Sequence, residues 1–128
     1  MKILVVDDEL GIREFFSREL ISEGYSVETA SDGEEALSKL DTSKFDLVIC
    51  DLKMPRLGGM DVLEEIRRRG LKARVIMMTG CMMEDPSTEA IKKSADDFIQ
   101  KPFDLNETLT IVKNSLAKSG LKYNGTGA

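Results

Sequence analysis

The 128-residue chain is expected to fold as an α/β domain: a five-stranded parallel sheet, doubly wound, with five helices on its two faces. Three observations predict this. Five short strand-like runs alternate with five segments whose apolar residues recur at helical spacing. The segments between strands are long enough for the crossovers that parallel pairing requires. The first, third and fourth runs are rich in branched side chains and lack polar alternation, as strands buried on both faces do.

The elements follow in order. Lys2 to Val6 is the first strand. Leu10 to Glu23 places Ile12, Phe15, Phe16 and Leu20 on one helical stripe, and Gly24 follows as a C-terminal cap. Ser26 to Ala30 is the second strand. Asp32 with Glu35 three residues on forms a capping box for a helix to Leu40 that turns Ala36, Leu37 and Leu40 inward. The third strand is the apolar run from Phe45 to Asp51, broken afterwards by Met54-Pro55 and Gly58-Gly59. A helix from about Met60 to Arg69 then buries Val62, Leu63 and Ile66. Val75 to Met78 is the fourth strand, ending at Thr79-Gly80. Asp85-Pro86 starts a fourth helix running to about Lys93. Asp97 to Gln100 is the fifth strand. After Lys101-Pro102, Asp104 and Glu107 form a second capping box, and Leu105, Leu109, Val112 and Leu116 stripe the last helix. The domain is expected over residues 1–119, with 120–128 a tail or the start of a linker, because the apolar period stops near Gly120.

Composition narrows the function. A net charge of −5 argues against direct nucleic-acid binding, and Arg67-Arg68-Arg69 reads as cations at a helix carboxyl end. No run approaches the roughly 20 apolar residues of a membrane span. Met1-Lys2 leads into a strand without a secretory pattern, so a cytoplasmic location is expected. Cys50 and Cys81 show no ligand or disulfide spacing and read as reduced thiols. The chain has no histidine, so chemistry that needs an imidazole must draw it from a partner.

Two of the most apolar strands end in acid: Asp7 and Asp8 after the first, Asp51 after the third. Ligands of open sheets bind beyond the carboxyl ends of the strands where strand order reverses, and one common order, 2-1-3-4-5 as in flavodoxin-like folds, sets the first strand beside the third. Three carboxylates then meet at one sheet edge, which is unfavourable unless cations or protons compensate.

With Asp7-Asp8, Asp51 followed by Met54-Pro55 and Gly59, Thr79-Gly80 and Lys101-Pro102-Phe103 in this order at the ends of alternate elements, the chain resembles the receiver domains of bacterial two-component response regulators from about Lys2 to Leu116. The resemblance implies that Asp51 is the phosphoacceptor, taking a phosphoryl group from a sensor histidine kinase or phosphotransfer protein. It implies that Mg²⁺ is held by Asp8, Asp51 and the backbone carbonyl of Lys53, with Asp7 acting through water, and that Lys101 and the Thr79 hydroxyl meet phosphoryl oxygens. Pro102 is the expected cis proline aiming Lys101 into the site. Thr79 and Phe98 form the implied switch, acting on the face of the predicted fourth helix, fifth strand and fifth helix, through which the domain pairs with itself or with an output domain. The domain is expected to be a signalling switch that catalyses only its own Mg²⁺-dependent phosphorylation and dephosphorylation, not an enzyme.

Two departures from the family pattern stand out: Ser94 precedes Ala95 where glycine is usual, and Cys81-Met82-Met83 with Asp85-Pro86 makes an unusual loop. In the family, the residues two after the acceptor and two after the switch threonine border the path of the hydrolytic water, and the resemblance puts Lys53 and Cys81 at those places. An ammonium accepts no hydrogen bond and a thiol accepts weakly, so slow self-dephosphorylation is expected. Three other readings fit less well. A flavin-binding first loop would cradle phosphate with amides, which Asp7-Asp8-Glu9 repels. Aspartate-based phosphatases space their acids one residue apart, and an interaction module without phosphorylation has no use for the full residue set.

Overall fold

The computed structural model describes residues 1–80 and 94–124, with side chains through 118. In chain order the elements are β1 (Lys2–Val6), α1 (Leu10–Ser22), β2 (Ser26–Ala30), α2 (Gly33–Thr42), β3 (Leu47–Asp51), α3 (Gly59–Arg68), β4 (Arg74–Thr79), β5 (Asp97–Gln100) and α4 (Leu105–Asn124). All strand pairs are parallel and the sheet order is β2-β1-β3-β4-β5, as expected. The helix anticipated from Asp85 to Lys93 and the loop at Cys81-Met82-Met83 lie outside the described residues. No helix among the described residues is long and apolar enough to cross a membrane.

Alternate strand residues feed two cores. On one face Leu4, Val6, Val48, Cys50, Val75 and Met77 pack with Ala36 and Leu40 of α2 and Val62, Leu63 and Ile66 of α3. On the other, Ile3, Val5, Leu47, Ile49, Ile76 and Met78 pack with Phe16 and Leu20 of α1 and Val112 and Leu116 of α4. Every residue of β3 is buried, so the strand that ends at Asp51 is fixed from both sides.

Local signals set the helix ends. Gly24, at φ 98°, closes α1: its N–H reaches the Ile21 carbonyl at 2.9 Å and Tyr25 N–H the Leu20 carbonyl at 3.1 Å, the paired bonds of a Schellman cap. At α2, Asp32 caps the helix by accepting from Glu35 N–H at 2.8 Å, but the expected capping box is not reciprocal. The Glu35 carboxylate instead takes the Ser31 N–H and hydroxyl at 2.8 and 2.9 Å, because Ser31 offers two donors where Asp32 offers one. Asp104 caps α4 through Glu107 N–H at 2.9 Å. That helix continues through Asn124, into the segment expected to be tail; neither Gly120 nor the loss of apolar period stops a helix already propagating from a packed stem.

Candidate phosphoryl and metal site

The site lies at the carboxyl end of the sheet, where β1 and β3 are neighbours. β1 runs out into Asp7, which is fully buried, and Asp8, which is exposed; β3 ends on Asp51, only 6% exposed. Carboxylate oxygens of Asp7, Asp8 and Asp51 all lie within 4.8 Å of one another. The β1–α1 turn that presents the first pair is held by three bonds. Asp7 N–H donates to the Ala30 carbonyl at 3.1 Å, Glu9 N–H to Asp7 Oδ1 at 2.9 Å, and Arg13 Nη1 to the Asp7 carbonyl at 2.7 Å. Glu9 is the N-cap residue of α1 but its side chain makes no capping bond.

Lys101 enters this acid cluster from the end of β5. Its ammonium stands 3.2 Å from Asp7 Oδ2, 3.3 Å from Asp51 Oδ2 and 4.0 Å from Glu9 Oε1. The Lys101–Pro102 peptide bond is cis, and Lys101 N–H donates to the Thr79 carbonyl at 2.8 Å. Phe103 then packs on Phe15 and Phe16 of α1, with ring centroids 5.7 and 5.3 Å away. The stretch 101–103 is thereby tied to β4 by its backbone and to α1 by its aromatic ring. Thr79 is buried at the end of β4. Phe98 is half-buried on β5 and packs against the core beneath α2 and α3. Lys53, at the start of the β3–α3 loop, is exposed; Cys81 lies outside the described residues.

Electrostatics follow from this crowding. Burial pushes the Asp51 carboxyl above the usual carboxylate range and Asp7 pushes it further, while Lys101 and the Lys53 backbone N–H pull it back. For Lys101, burial works against the charge, but Asp51 and Asp7 outweigh it and hold the ammonium above the ordinary lysine value. Cys50, one residue away, is driven strongly upward by burial and then by Asp51 and Asp7; it is an inert core thiol. The donor set is all oxygen, which suits a hard divalent cation, and the lysine between two of its members already sits where positive charge is needed. The residues present fit Mg²⁺.

Sequence reasoning named Asp7, Asp8, Asp51, Thr79 and Lys101, and the fold brings their elements to one edge. It missed Arg13, whose partner is a backbone carbonyl, and the ring contact of Phe103 with α1. A basic residue six positions after Asp7 on the first helix was the available signal for Arg13.

Residues 3–113 match the family described as the response regulator receiver domain. The chain is 41% identical to the alkaline phosphatase synthesis transcriptional regulatory protein PhoP of Bacillus subtilis, over 92% of this chain and 49% of PhoP. Among solved structures it resembles chemotaxis protein CheY4 of Vibrio cholerae, with 32% identity and a TM-score of 0.82 over 89% of this chain and 97% of that one. It also resembles response regulator TrrA of Thermotoga maritima, solved with Mg²⁺ and BeF, at 41% identity and a TM-score of 0.77 over 88% of this chain and 96% of that one. The chain spans about half the length of the curated relatives it matches.

Proposed function

The chain belongs to the response regulator receiver domains, the phosphoacceptor modules of two-component signalling, and on that premise we propose that Asp51 is its acceptor residue. The observation that carries this is the position of Asp51: buried at the end of β3, its carboxylate meets Asp7, Asp8 and the Lys101 ammonium. Asp8, Asp51 and the backbone carbonyl of Lys53 would hold Mg²⁺, with Asp7 reaching it through water. The bound ion supplies the neutralisation that lets a carboxylate approach an anionic phosphoryl group.

In the reaction an Asp51 carboxylate oxygen attacks phosphorus, the bond from phosphorus to the donor's imidazole nitrogen breaks, and the donor keeps that electron pair. The chain has no histidine, so the donor is the phosphohistidine of a sensor kinase or phosphotransfer protein. Lys101 pairs with one phosphoryl oxygen and the Thr79 hydroxyl donates to another. Movement of Thr79 toward the phosphoryl group, with Phe98 turning in behind it, shifts the population toward an active state. The consequence falls on β5 and α4, together with the segment between β4 and β5, as a surface for self-pairing or for an output domain. The module works in the cytoplasm as a switch whose only catalysis is on itself, without contacting nucleic acid directly.

Incubation with acetyl phosphate and Mg²⁺ followed by intact-mass measurement tests the reading. One phosphoryl group is expected on the wild-type chain and none on Asp51→Asn, which keeps its fold; wild-type stoichiometry in that variant would move the acceptor elsewhere.

A further inference from the structure

Gly33 opens α2, where alanine would favour the helix over glycine. Space explains the choice. A Cβ at this position would stand 2.6 Å from the Leu57 carbonyl oxygen and 2.9 Å from Leu57 Cβ, nearer than real Cβ contacts come. The obstacle is backbone, so it cannot swing aside as the tip of a side chain can. Asp32, next to it, works in both directions: Oδ1 caps α2, and Oδ2 lies 3.4 Å from Arg56 Nη2. Arg56 holds φ at 65°, a left-handed conformation that side chains seldom adopt. The β3–α3 loop is thus pressed against α2 at its crest.

The loop is also gripped at its base. Gly59 N–H donates to the Leu52 carbonyl at 3.0 Å, and a Cβ on Gly59 would come within 2.4 Å of the Asp51 carbonyl oxygen. Lys53 lies between the two grips. Its N–H faces the Asp51 carboxyl closely enough to pull that group back toward its ordinary value, and its carbonyl is the proposed ligand.

We propose that Gly33 is a positioning residue for the metal site: the bare first turn of α2 sets the height of the β3–α3 loop and so holds the Lys53 peptide against Asp51. Gly33 touches neither ion nor phosphoryl group and acts through Leu57. The inference rests on the reading of Asp51 and Lys53 as ligands, and the experiment separates the two.

Backbone-amide NMR during Mg²⁺ titration gives the affinity and reports the Lys53 and Leu57 amides directly. Gly33→Ala is expected to weaken Mg²⁺ binding about tenfold, the scale seen when a group that orients a metal ligand is lost, and to shift both amide resonances. Leu40→Ala, which empties a core contact of the same helix, is expected to lower the melting temperature with no change in Mg²⁺ affinity. Wild-type affinity in Gly33→Ala overturns the proposal alone, whereas a wild-type protein that does not bind Mg²⁺ overturns the ligand assignment and this proposal with it. If Gly33→Ala does not fold, Leu57→Gly loosens the same seat from the loop side by removing the Leu57 Cβ and Cδ2 that rest over Gly33, while its carbonyl stays. It is expected to weaken Mg²⁺ likewise, and unchanged affinity there is equally fatal.

Discussion

At the amino end of the sheet Asp96 has a partner on every side: Arg67 at 2.9 Å, Arg74 at 3.5 Å and the Val75 N–H at 2.7 Å. Asp46, at the same end, takes the Lys2 N–H at 2.8 Å. At the carboxyl end Asp7, Asp8 and Asp51 converge, and among the described residues the Lys101 ammonium spans only Asp7 and Asp51 at hydrogen-bond range. The residue types are the same, so the difference lies in how much positive charge each carboxylate receives. An acid with a full set of partners holds strands together, while acids sharing one cation are poised to accept another. Stability is concentrated at one end, and local charge conflict is kept at the other, as functional sites do.

Lys101→Ala should break the carboxyl end most severely. Loss of a charged donor aimed at the transferring group costs on the order of a hundredfold or more in rate, so acetyl-phosphate labelling should slow by at least about that factor. Mg²⁺ affinity should rise in the same variant, because the cation that shares Asp7 and Asp51 is gone. Labelling time courses with a parallel Mg²⁺ titration check both; slower labelling with weaker Mg²⁺ binding would mean that Lys101 mainly props the site open.

The amino end provides the converse. Asp96→Ala leaves the Val75 N–H and the Arg74 guanidinium without this acceptor, while Arg67 keeps the Ala73 and Ser94 carbonyls, a loss of about 2 kcal/mol. Urea denaturation should report it, with labelling rate and Mg²⁺ affinity unchanged. A fall in either would show that the two ends are coupled.

That contrast explains what the sequence could disclose. Asp7, Asp8 and Asp51 were legible because each closes or follows an apolar strand and parallel topology delivers such ends to one edge, whereas Thr79 and Lys101 were legible only through the resemblance to receiver domains. Parallel pairing was legible from crossover lengths, while the strand order came from a common arrangement of such sheets that the resemblance to receiver domains supports. Arg13 and Gly33 were not, since each acts on a backbone carbonyl supplied by another segment, and a side-chain pattern does not encode those contacts. Glu35 looked like half of a capping box; only the geometry of Ser31 reveals where it goes. The reach of α4 was hidden for a different reason, because its final turns carry no apolar stripe.

Signal lifetime is a smaller effect at the same end. Lys53 is exposed beside the acceptor, and an ammonium offers the hydrolytic water no acceptor. Lys53→Asn with Cys81→Glu should speed phosphate release from the purified phosphoprotein about tenfold, modest beside what a positioned acid or base contributes. A wild-type rate equal to that of the double variant would remove both residues from the control of lifetime.

The smallest effect is the one that Asp51 exerts on stability in the absence of metal. Its carboxyl is raised by burial and by Asp7, so the folded chain holds that proton more tightly than the unfolded chain. The stability this provides is fully present below the ordinary aspartate range and is lost as pH rises through the raised folded value. At neutral pH the ionised group therefore works against the fold, with Lys101 offsetting part of the cost. Lys101 has its own window: its raised value contributes stability below the ordinary lysine range, lost only as pH climbs through the raised one. In chelator at neutral pH, Asp51→Asn should melt a few degrees above wild type, and the gap should narrow on acidification through the carboxylate range. Adding Mg²⁺ should reverse the order, because a ligand at a hundredfold excess over its dissociation constant stabilises the form that binds it by about 2.7 kcal/mol. Thermal melts across pH with and without Mg²⁺ decide it. If the variant melts below wild type in chelator at neutral pH, Lys101 fully compensates Asp51, and the carboxyl end is as well paired as the amino end.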